Sequence, residues 1–296
     1  MDVSVIIVNY NTKELTLNCI KSVILQTLDI SYEIIIVDNS SIDGSQQAIK
    51  RDYPNIILIE SKENLGFGRA NNLGAEKAQG KYLFFLNSDT ILLNNSIHFL
   101  FIFNEINKTN LKIGVSGGML VDENRLETGS FGPLPTITNI LKSIFFLLPR
   151  FTRMTPNEII YFQTNGHLEV GYVTGADMFI SKSIFKNLKG FDQNIFMYYE
   201  ETDLQLRLKN ANYRNYVVKG TQIIHLEGAS INQINANNKK RLIITKSMFY
   251  YFRKHSKLLS FLSFKILFLT IRLATIVDFN YSWKEKKEYI LQMIKS

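Results

Sequence analysis

The sequence contains very little cysteine and proline. Its 296 residues include a single cysteine, Cys19, and five prolines. One cysteine can form neither an internal disulfide nor the paired ligands of a zinc finger, which indicates a reducing, cytosolic setting. The first residues lack the basic segment and long apolar core of a signal peptide, which supports the same expectation. The length fits one large domain with an appendage, or two smaller domains.

Two common phosphate-binding motifs are also missing. No segment matches the GxxxxGK[ST] loop, which argues against a P-loop ATPase or kinase. The Gly66-x-Gly68 segment lacks the third glycine of the dinucleotide fingerprint, because Asn71 stands in its place, and it follows the third predicted strand rather than the first. A nicotinamide cofactor is therefore disfavoured.

Negative charge is absent from much of the C-terminal quarter. No acidic residue lies between Glu227 and Asp278, whereas nine lysines and arginines do, and the whole chain has a formal net charge of +8. Such a basic segment would attract an anionic membrane surface. We expect no nucleic-acid partner, because no platform of basic and aromatic residues accompanies this charge.

The same quarter contains a 20-residue, mostly apolar run at 258–277. That length is enough to span a bilayer, but Lys265 and Arg272 inside the run favour a position in the membrane interface. The alternative is a helix pair that packs on the catalytic domain or on a second subunit. A second apolar segment, at 137–151, is either a short core helix or an amphipathic lid or membrane-dipping segment.

The first ninety residues alternate between apolar runs and helix signals. Strands are predicted at 3–8, 33–37, 55–60 and 82–86, and the helices between them end near residues 28, 52 and 79. This order predicts an α/β fold, with a doubly wound, mostly parallel sheet flanked by helices.

Polar residues follow the strands of this predicted sheet. Asn9, Asp38, the 64–72 loop and Asp89 should meet in one crevice, because parallel strands place their carboxyl ends on one edge. Asp38 is suited to bind the ribose or base of a nucleotide. Asp89 alone is equally well explained as the cap of a helix that begins at residue 94 or 95.

The second half is predicted to contain strands at 113–121, 171–180 and 217–226. The segment 197–211 is predicted to contain a helix, and Glu200, Glu201 and Asp203 lie at the start of that helix. The helix dipole favours acidic residues in a first turn, but three adjacent carboxylates repel one another, so we expect a general base or a metal-orienting group here. His225 lies near the end of the last strand, where a lone histidine is more often structural.

Taken together, these motifs resemble the inverting family 2 glycosyltransferases, which have the GT-A fold, and most closely their bacterial rhamnosyltransferase-like branch. The match covers about residues 3–255 in the family's order. The segments that carry it are Val5-Ile-Ile-Val-Asn-Tyr-Asn11, Ile36-Val-Asp-Asn-Ser-Ser-Ile-Asp-Gly44, Asn64-Leu-Gly-Phe-Gly-Arg-Ala-Asn-Asn72, Leu86-Asn-Ser-Asp-Thr90, Gly175-Ala, Gly190-Phe-Asp-Gln-Asn-Ile-Phe-Met-Tyr-Tyr-Glu-Glu-Thr-Asp-Leu204 and His225-Leu-Glu-Gly-Ala-Ser230.

The resemblance implies a division of the chain into three parts. Residues 1–110 would form the nucleotide-sugar-binding half of the GT-A domain, 111–232 the acceptor and catalytic half, and 233–296 a basic, apolar helical appendage. It also implies a nucleotide-sugar donor and a divalent cation, Mg²⁺ or Mn²⁺.

Roles for single residues follow from the same resemblance. Asn87-Ser88-Asp89 occupies the family's DxD motif, with Asn87 in place of the first carboxylate; Asp89 would bind the metal and His225 would complete its site. Glu201 matches the catalytic base, a role that Glu200 or Asp203 could share. The expected nucleotide-sugar-binding residues are Asn9, Asn11, Asp38, Asn64, Gly66, Arg69, Asn72, Asn87 and Ser88.

The implied reaction is sugar transfer with inversion onto a glycan or lipid-linked glycan, in bacterial cell-surface polysaccharide synthesis. L-Rhamnose from dTDP-rhamnose is the first expectation. A UDP-hexose or galactofuranose transferase of the same family, or a catalytically silent nucleotide-sugar-binding scaffold subunit, is the alternative. A lipid-linked acceptor would place the protein on the inner face of the cytoplasmic membrane, and the C-terminal helices could also form a homo-oligomer.

Overall fold

The structure of the protein, a computed structural model, describes residues 1–146, 163–164, 167–226, 235–273 and 282–295. The chain divides into two compact units. The first comprises Met1–Leu134, Tyr161–Phe196 and Glu200–Ser230, and the second comprises Pro135–Ile160, Met197–Tyr199 and Ile231–Ser296. The functional boundaries at 110 and 232 remain predictions.

The first unit contains all the strands and six of the helices that the structure describes. The strands are β1 Val3–Asn9, β2 Tyr32–Asp38, β3 Ile57–Glu60, β4 Tyr82–Asn87, β5 Thr90–Leu92, β6 Ile113–Gly117, β7 Leu120–Val121, β8 Phe131–Gly132, β9 Gln163–Thr164, β10 His167–Val170, β11 Tyr172–Val173, β12 Asp177–Ser181, β13 Arg214–Val217 and β14 Ile223–His225. The helices are α1 Lys13–Gln26, α2 Ser45–Asp52, α3 Phe67–Lys77, α4 Ser96–Asn107, α6 Lys182–Asn187 and α7 Glu200–Asn210.

A nine-stranded sheet forms the centre of this unit, in the order β3-β2-β1-β4-β12-β6-β13-β10-β9. The first four strands are parallel, which confirms the predicted doubly wound arrangement. β12 then runs antiparallel to both of its neighbours, and β13 is parallel to β6. The register sets Asn9 beside Asp38 and Val8 beside Asn87, so three strand ends lie side by side.

Helices on both faces explain why the central strands are apolar without interruption. On β1, Val5 and Ile7 pack in one cluster with Ile20 of α1, whereas Ile6 packs in the other with Ala75 of α3. All of these except Ala75 are fully excluded from solvent. Each such Val or Ile contributes about 1.5–3 kcal/mol relative to an exposed position.

Three of the predicted strands are wrong in extent, because each is broken in the structure. The 113–121 run is split into β6 and β7, and 171–180 into β11 and β12. Of 217–226, only Val217, the last residue of β13, and β14 belong to strands. Side chains hold the chain away from the large sheet at these breaks: Asp177 accepts from Gly118 N, and Thr221 Oγ1 accepts from Met119 N at 2.9 Å. β7 and β14 instead join β5 in a small three-stranded sheet.

The C-terminal part of the second unit is mostly helical in the residues described, which confirms the predicted C-terminal appendage. The second unit contains α5 Ile137–Phe146, α8 Asn235–His255, α9 Leu258–Leu273 and α10 Trp283–Lys295. On α8, Phe249 contacts the rings of Phe261, Phe264 and Phe268. Thr245 Oγ1 lies 3.1 Å from the Tyr289 hydroxyl of α10.

Both apolar segments singled out in the sequence are helical where they are described. α5 covers 137–146 and α9 covers 258–273, while 147–151 and 274–277 lie outside the described residues. Across the parts of the chain that the structure describes, no helix combines the length and the apolar character needed to cross a bilayer.

Candidate active site

The adjacent ends of β1 and β2 are joined by side-chain hydrogen bonds. Asn9 Nδ2 donates to Asp38 Oδ2 at 2.6 Å, and Asp38 Oδ1 accepts from Ser41 N at 2.9 Å and from Gln46 Nε2 at 2.7 Å. Asp38 is fully buried. It lies at the end of a strand, as predicted. Its carboxylate accepts hydrogen bonds from other residues of the protein, and these bonds hold the loop after β2 in place.

Thr12 connects this pair to the end of β4. Its hydroxyl donates to Asn9 Oδ1 at 2.8 Å and lies 3.1 Å from Ser88 Oγ, while Thr16 Oγ1 also donates to Asn9 Oδ1, at 2.7 Å. α1 begins at the next residue, but the Thr12 hydroxyl makes no capping hydrogen bond, because it points into the crevice.

Asn11 lies at the exposed rim of the crevice. Its φ is 55°, a left-handed backbone that asparagine tolerates better than most residues. Its N–H donates to Ser41 Oγ at 2.9 Å, and its Oδ1 accepts from Ile42 N at 2.8 Å. These bonds tie the loop after β1 to the loop after β2.

The 64–72 segment, which includes the first residues of α3, fixes the position of the residues that precede α7. Asn72 exchanges two hydrogen bonds with the backbone of Phe191, at 2.8 and 2.9 Å. Gly66 has a φ of 78°, and a Cβ there would overlap the carbonyl oxygen of Phe196, which accepts from Phe67 N at 2.9 Å. Asn64 Oδ1 accepts from Gly66 N at 2.9 Å. In the structure Asn64, Gly66 and Asn72 position the chain, and their contacts with the donor remain a prediction.

Two further residues of this region have different surroundings. Arg69 is partly exposed, and its Nη2 lies 3.5 Å from Glu63 Oε1, so its guanidinium is at the surface. Asn39, which the sequence did not single out as a site residue, donates from Nδ2 to Gly66 O at 3.0 Å. Asn39 therefore links the end of β2 to the 64–72 loop.

The end of β4 meets β14, which brings together both predicted metal ligands. β14 runs antiparallel to β5 with His225 opposite Thr90, and Leu226 N donates to Asp89 O at 3.0 Å. His225 Nε2 lies 3.4 Å from Asp89 Oδ1 and 3.5 Å from Asn87 Nδ2. Asp89 does not cap a helix, because β5 follows it and α4 begins only at Ser96.

The separation of Asp89 and His225 suits two neighbouring ligands of one ion. Cis ligands with metal–oxygen bonds of about 2.1 Å lie about 3 Å apart, close to the observed distance. Among the described residues, no group of three His, Cys, Asp or Glu side chains could hold a metal. A cation here would therefore need oxygen ligands from a bound diphosphate and from water, as Mg²⁺ sites commonly have.

Cys19 lies next to this site but is not a suitable ligand. Its Sγ is 3.5 Å from Asn87 O and 3.6 Å from Thr90 Oγ1. Burial raises the pKa of the thiol to about 12. Because only the thiolate binds metals well, Cys19 acts as a small core residue.

The three acidic residues at the start of α7 have different environments. Asp203 is fully buried and pairs with Arg207, whose Nε and Nη2 lie 2.9 and 2.8 Å from Asp203 Oδ2. Arg207 also donates to the carbonyl oxygens of Leu188 and Gly190. These contacts give Asp203 a positioning role, while a share in the base remains a prediction, and Arg207 points into the protein.

Glu200 and Glu201 are adjacent carboxyl groups, and the charge of Glu201 affects the pKa of Glu200. Glu200 is buried, and its Oε2 has no hydrogen-bond partner among the described residues. Burial and then repulsion by Glu201 raise the pKa of Glu200 well above its usual value. Burial of its carboxyl group also raises the pKa of Glu201. The residue as a whole is partly exposed, unlike Glu200. The more accessible Glu201 is the better candidate for a base.

One short segment places Glu201 close to the end of β4. A Cβ built on Gly175 would lie 3.8 Å from Glu201 Cβ and 3.5 Å from the Phe67 ring. The next residue, Ala176, accepts a 2.9 Å hydrogen bond from Asn87 N. Gln205, which the sequence did not indicate, fixes α7 here by exchanging two 2.7 Å hydrogen bonds with the Val173 backbone. The predicted base and the predicted metal ligands therefore border one crevice.

A groove of about 440 Å³ lies elsewhere on the first unit, beside α4. Phe99, Ile102, Ile106, His167 and Lys219 are among its lining residues. None of the predicted site residues lines it, so it is not a candidate for the donor site.

Comparison with known proteins agrees with this geometry. Residues 4–106 match the sequence model of "Glycosyl transferase family 2". Over these residues the chain is similar to a family 2 glycosyltransferase domain. This match covers the strands and loops that form the crevice from Asn9 to Asp89, and it confirms the predicted family resemblance.

Two relatives extend the likeness of the family 2 domain beyond that region. An N-acetylglucosaminyl-diphospho-decaprenol L-rhamnosyltransferase of Mycobacterium tuberculosis is 26% identical over 219 residues, which are 69% of this chain and 70% of that protein. The rhamnosyltransferase WbbL of Escherichia coli is 28% identical over 204 residues, which are 67% of this chain and 74% of that protein. These likenesses confirm the predicted rhamnosyltransferase-like branch.

Two solved structures confirm the GT-A fold. The mannosyltransferase PcManGT of Pyrobaculum calidifontis, in complex with GDP-Man and Mn²⁺, matches with a TM-score of 0.57 and 13% identity over 99% of this chain and 86% of that chain. GalNAc-T7 with UDP, GalNAc and Mn²⁺ matches with a TM-score of 0.55 and 17% identity over 83% of this chain. The match spans about half, 49%, of the GalNAc-T7 chain.

Proposed function

We propose that the protein is a metal-dependent, inverting glycosyltransferase that uses a nucleotide-sugar donor. The observation that carries this proposal is the meeting of two groups in one crevice. Asp89 and His225 lie 3.4 Å apart at the end of β4. Glu201 lies beside Gly175. The carbonyl oxygen of the next residue, Ala176, accepts a hydrogen bond from the backbone of Asn87. A base and a cation site that border one crevice suit a substitution at a sugar carbon that lies between them.

In the proposed reaction Glu201 acts on the acceptor. Its carboxylate removes the proton of an acceptor hydroxyl while that oxygen attacks the anomeric carbon from the face opposite the leaving group. The bond between the anomeric carbon and the diphosphate oxygen breaks, and its electron pair leaves with the nucleoside diphosphate. The raised pKa of Glu201 makes it a stronger base than an ordinary glutamate.

Asp89 and His225 would hold the cation, either Mg²⁺ or Mn²⁺. When bound, such an ion supplies Lewis-acid neutralisation of the charge that develops on the leaving diphosphate. Asn87 replaces the first carboxylate of the family's DxD motif, so its amide is free to donate to the donor's oxygens rather than bind the ion. Asp38, Asn9 and Thr12 keep the rim of the crevice in place.

For the donor we propose L-rhamnose from dTDP-rhamnose. Support comes from the names of the two relatives, both rhamnosyltransferases. UDP-hexose or UDP-galactofuranose is the alternative within the same reaction class. A catalytically silent scaffold is less favoured, because a silent subunit has no chemical need for Glu201 beside a paired Asp89 and His225.

For the acceptor we propose a lipid-linked glycan of bacterial cell-surface polysaccharide synthesis. The Mycobacterium tuberculosis relative is named for a decaprenol-linked substrate. An acceptor of that kind would place the protein at the cytoplasmic face of the membrane.

A thermal-shift screen of nucleotide sugars, with and without Mn²⁺, tests the proposed donor class. A donor that binds the folded protein raises its melting temperature by mass action. We expect stabilisation by dTDP-rhamnose only when metal is present, and turnover of the same donor with a lipid-linked acceptor. Stabilisation by no nucleotide sugar, with or without metal, would overturn the proposed function.

A further inference from the structure

Helix α9 is apolar on two opposite faces. Phe261, Phe264 and Phe268 are buried and contact Phe249 of α8 at ring-centroid distances of 5.3 to 6.2 Å. Leu259, Leu262 and Ile266 point the other way, as their spacing of three and four residues requires, and are 78%, 43% and 65% exposed. Packing within this unit thus accounts for one apolar face only.

Other exposed apolar side chains extend this outer face. Leu258 and Leu267 flank it on α9 and are also exposed. Lys265 Nζ donates to the Ile294 carbonyl oxygen at 3.0 Å, which places the end of α10, with exposed Leu291 and Ile294, beside the middle of α9. A contiguous apolar patch of this kind marks an interaction surface rather than ordinary scatter.

On α8 and α9 the charge has one sign, whereas α10 carries Glu285 and Glu288 among its lysines. Residues 235–273 contain nine lysines and arginines and no aspartate or glutamate. Arg253, Lys254 and Lys257 are exposed and directly precede Leu258 and Leu259. Such a border attracts an anionic surface, and each basic residue strengthens that attraction.

We propose that the outer face of α9, formed by Leu259, Leu262 and Ile266, docks onto an anionic lipid bilayer. The leucine and isoleucine side chains enter the boundary between headgroups and acyl chains, while Arg253, Lys254 and Lys257 meet the headgroups. Because the Phe261, Phe264 and Phe268 face stays packed on α8, the helix lies along the surface. A second copy of the chain is a poorer occupant, since it would present the same positive border.

This inference deepens the proposed location at the membrane, on which it rests, but its test requires no sugar transfer. The full chain is floated with vesicles of phosphatidylcholine plus phosphatidylglycerol, and separately with phosphatidylcholine alone. We expect flotation with the anionic vesicles only, and release by salt at about 0.5 M, where charges are screened beyond a few ångströms. Equal flotation with both vesicle types, or with neither, overturns the proposal.

A matched pair of double variants locates the docking face. Leu259→Gln with Ile266→Gln removes its two most exposed side chains, and glutamine maintains helix formation. The control, Leu126→Gln with Ile106→Gln, removes two side chains of similar exposure, 65% and 69%, from the first unit. We expect the first pair to lower the vesicle partition coefficient about tenfold or more, and the control to change it less than about twofold.

Two more measurements keep the proposal falsifiable if the α9 variant does not fold. Hydrogen exchange of the unaltered chain should show protection of α9 peptides when anionic vesicles are added. Sedimentation of the unaltered chain without lipid, with hydrogen exchange on the same sample, should show no dimer in which the α9 peptides are protected. Unchanged exchange in α9, or such a dimer, contradicts the proposal, even if a nucleotide sugar is turned over normally.

Discussion

The carboxylate of Asp89 and the imidazole of His225 lie 3.4 Å apart, although they come from opposite halves of the chain. The antiparallel pairing of β5 with β14 fixes this spacing, because it sets His225 directly opposite Thr90. The pair is anchored further by the bond from Leu226 N to Asp89 O. A small sheet outside the large one thus builds the candidate metal site.

The first prediction concerns metal-dependent nucleotide binding. Asp89→Asn keeps the shape of the side chain but removes its charge, so we expect the Mn²⁺-dependent gain in nucleotide affinity to fall about tenfold or more. Titration calorimetry of the nucleotide with and without Mn²⁺ measures this gain in affinity. Glu123→Gln, at an exposed loop position, is the control and should bind as the unaltered protein does. An unchanged metal dependence in Asp89→Asn would show that this carboxylate is not a ligand.

Sequence reasoning could predict the meeting of strand ends but not all of their contacts. Parallel strands place their carboxyl ends on one edge, so Asn9, Asp38 and Asn87 had to be neighbours. The inward direction of Asp38 depends on the path of the loop that carries Ser41 and Gln46, and no residue pattern encodes that path.

Breaks inside the predicted strands had only a weak signal in the sequence. The 113–121 run contains the Gly117-Gly118 pair where β6 ends, a turn signal that the predicted continuous strand overlooked. The buried Asp177 and Thr221, distant in sequence, provide the bonds that make the chain turn. The left-handed φ angles of Tyr198 and Tyr199, 66° and 70°, could not be predicted either, since bulky residues rarely adopt them.

The second prediction separates a structural acid from a catalytic one. Asp203→Ala leaves Arg207 without its buried carboxylate, so we expect the free energy of unfolding to fall by about 3 kcal/mol. Urea unfolding measures the loss. Glu169→Ala breaks the exposed ion pair with Arg214 and should cost less than about 1 kcal/mol. If Asp203→Ala folds with unchanged stability but is inactive, Asp203 belongs to the chemistry instead.

The third prediction concerns Asn72, for which we first expected contact with the donor. Asn72→Ala removes two hydrogen bonds to the Phe191 backbone, so we expect it to lower stability by about 2 kcal/mol. Donor affinity, measured by calorimetry at a temperature where the variant is folded, should change little. Asn124→Ala, at an exposed position, is the control for both measurements. A large loss of donor affinity with full stability would restore the donor-binding role.

The fourth prediction concerns the pH dependence of stability. Burial raises the pKa of Glu200 in the folded protein above its unfolded value, so the folded state binds the proton more tightly. Stability from this group is therefore greatest below the unfolded pKa and is lost as pH rises toward the folded pKa, by about 1.4 kcal/mol per pH unit.

Glu200→Gln removes this titration, and urea midpoints at several pH values compare the two proteins. Between about pH 5 and about pH 7, the loss of stability with rising pH should be smaller in Glu200→Gln than in the unaltered protein. Asp177 also has a raised pKa from burial, but it is present in both proteins and cancels in the difference. Parallel curves for the two proteins would show that Glu200 does not titrate in this window.

The turnover rate of Glu201→Gln shows whether Glu201 is the base of a sugar transfer. Glutamine keeps the side-chain size but cannot accept the acceptor's proton, so we expect kcat to fall by about 100-fold or more. Donor affinity should stay within about twofold of the unaltered protein, because Glu201 acts on the acceptor. Glu123→Gln should retain full activity. Turnover by Glu201→Gln at a rate near that of the unaltered protein would show that Glu201 is not the base.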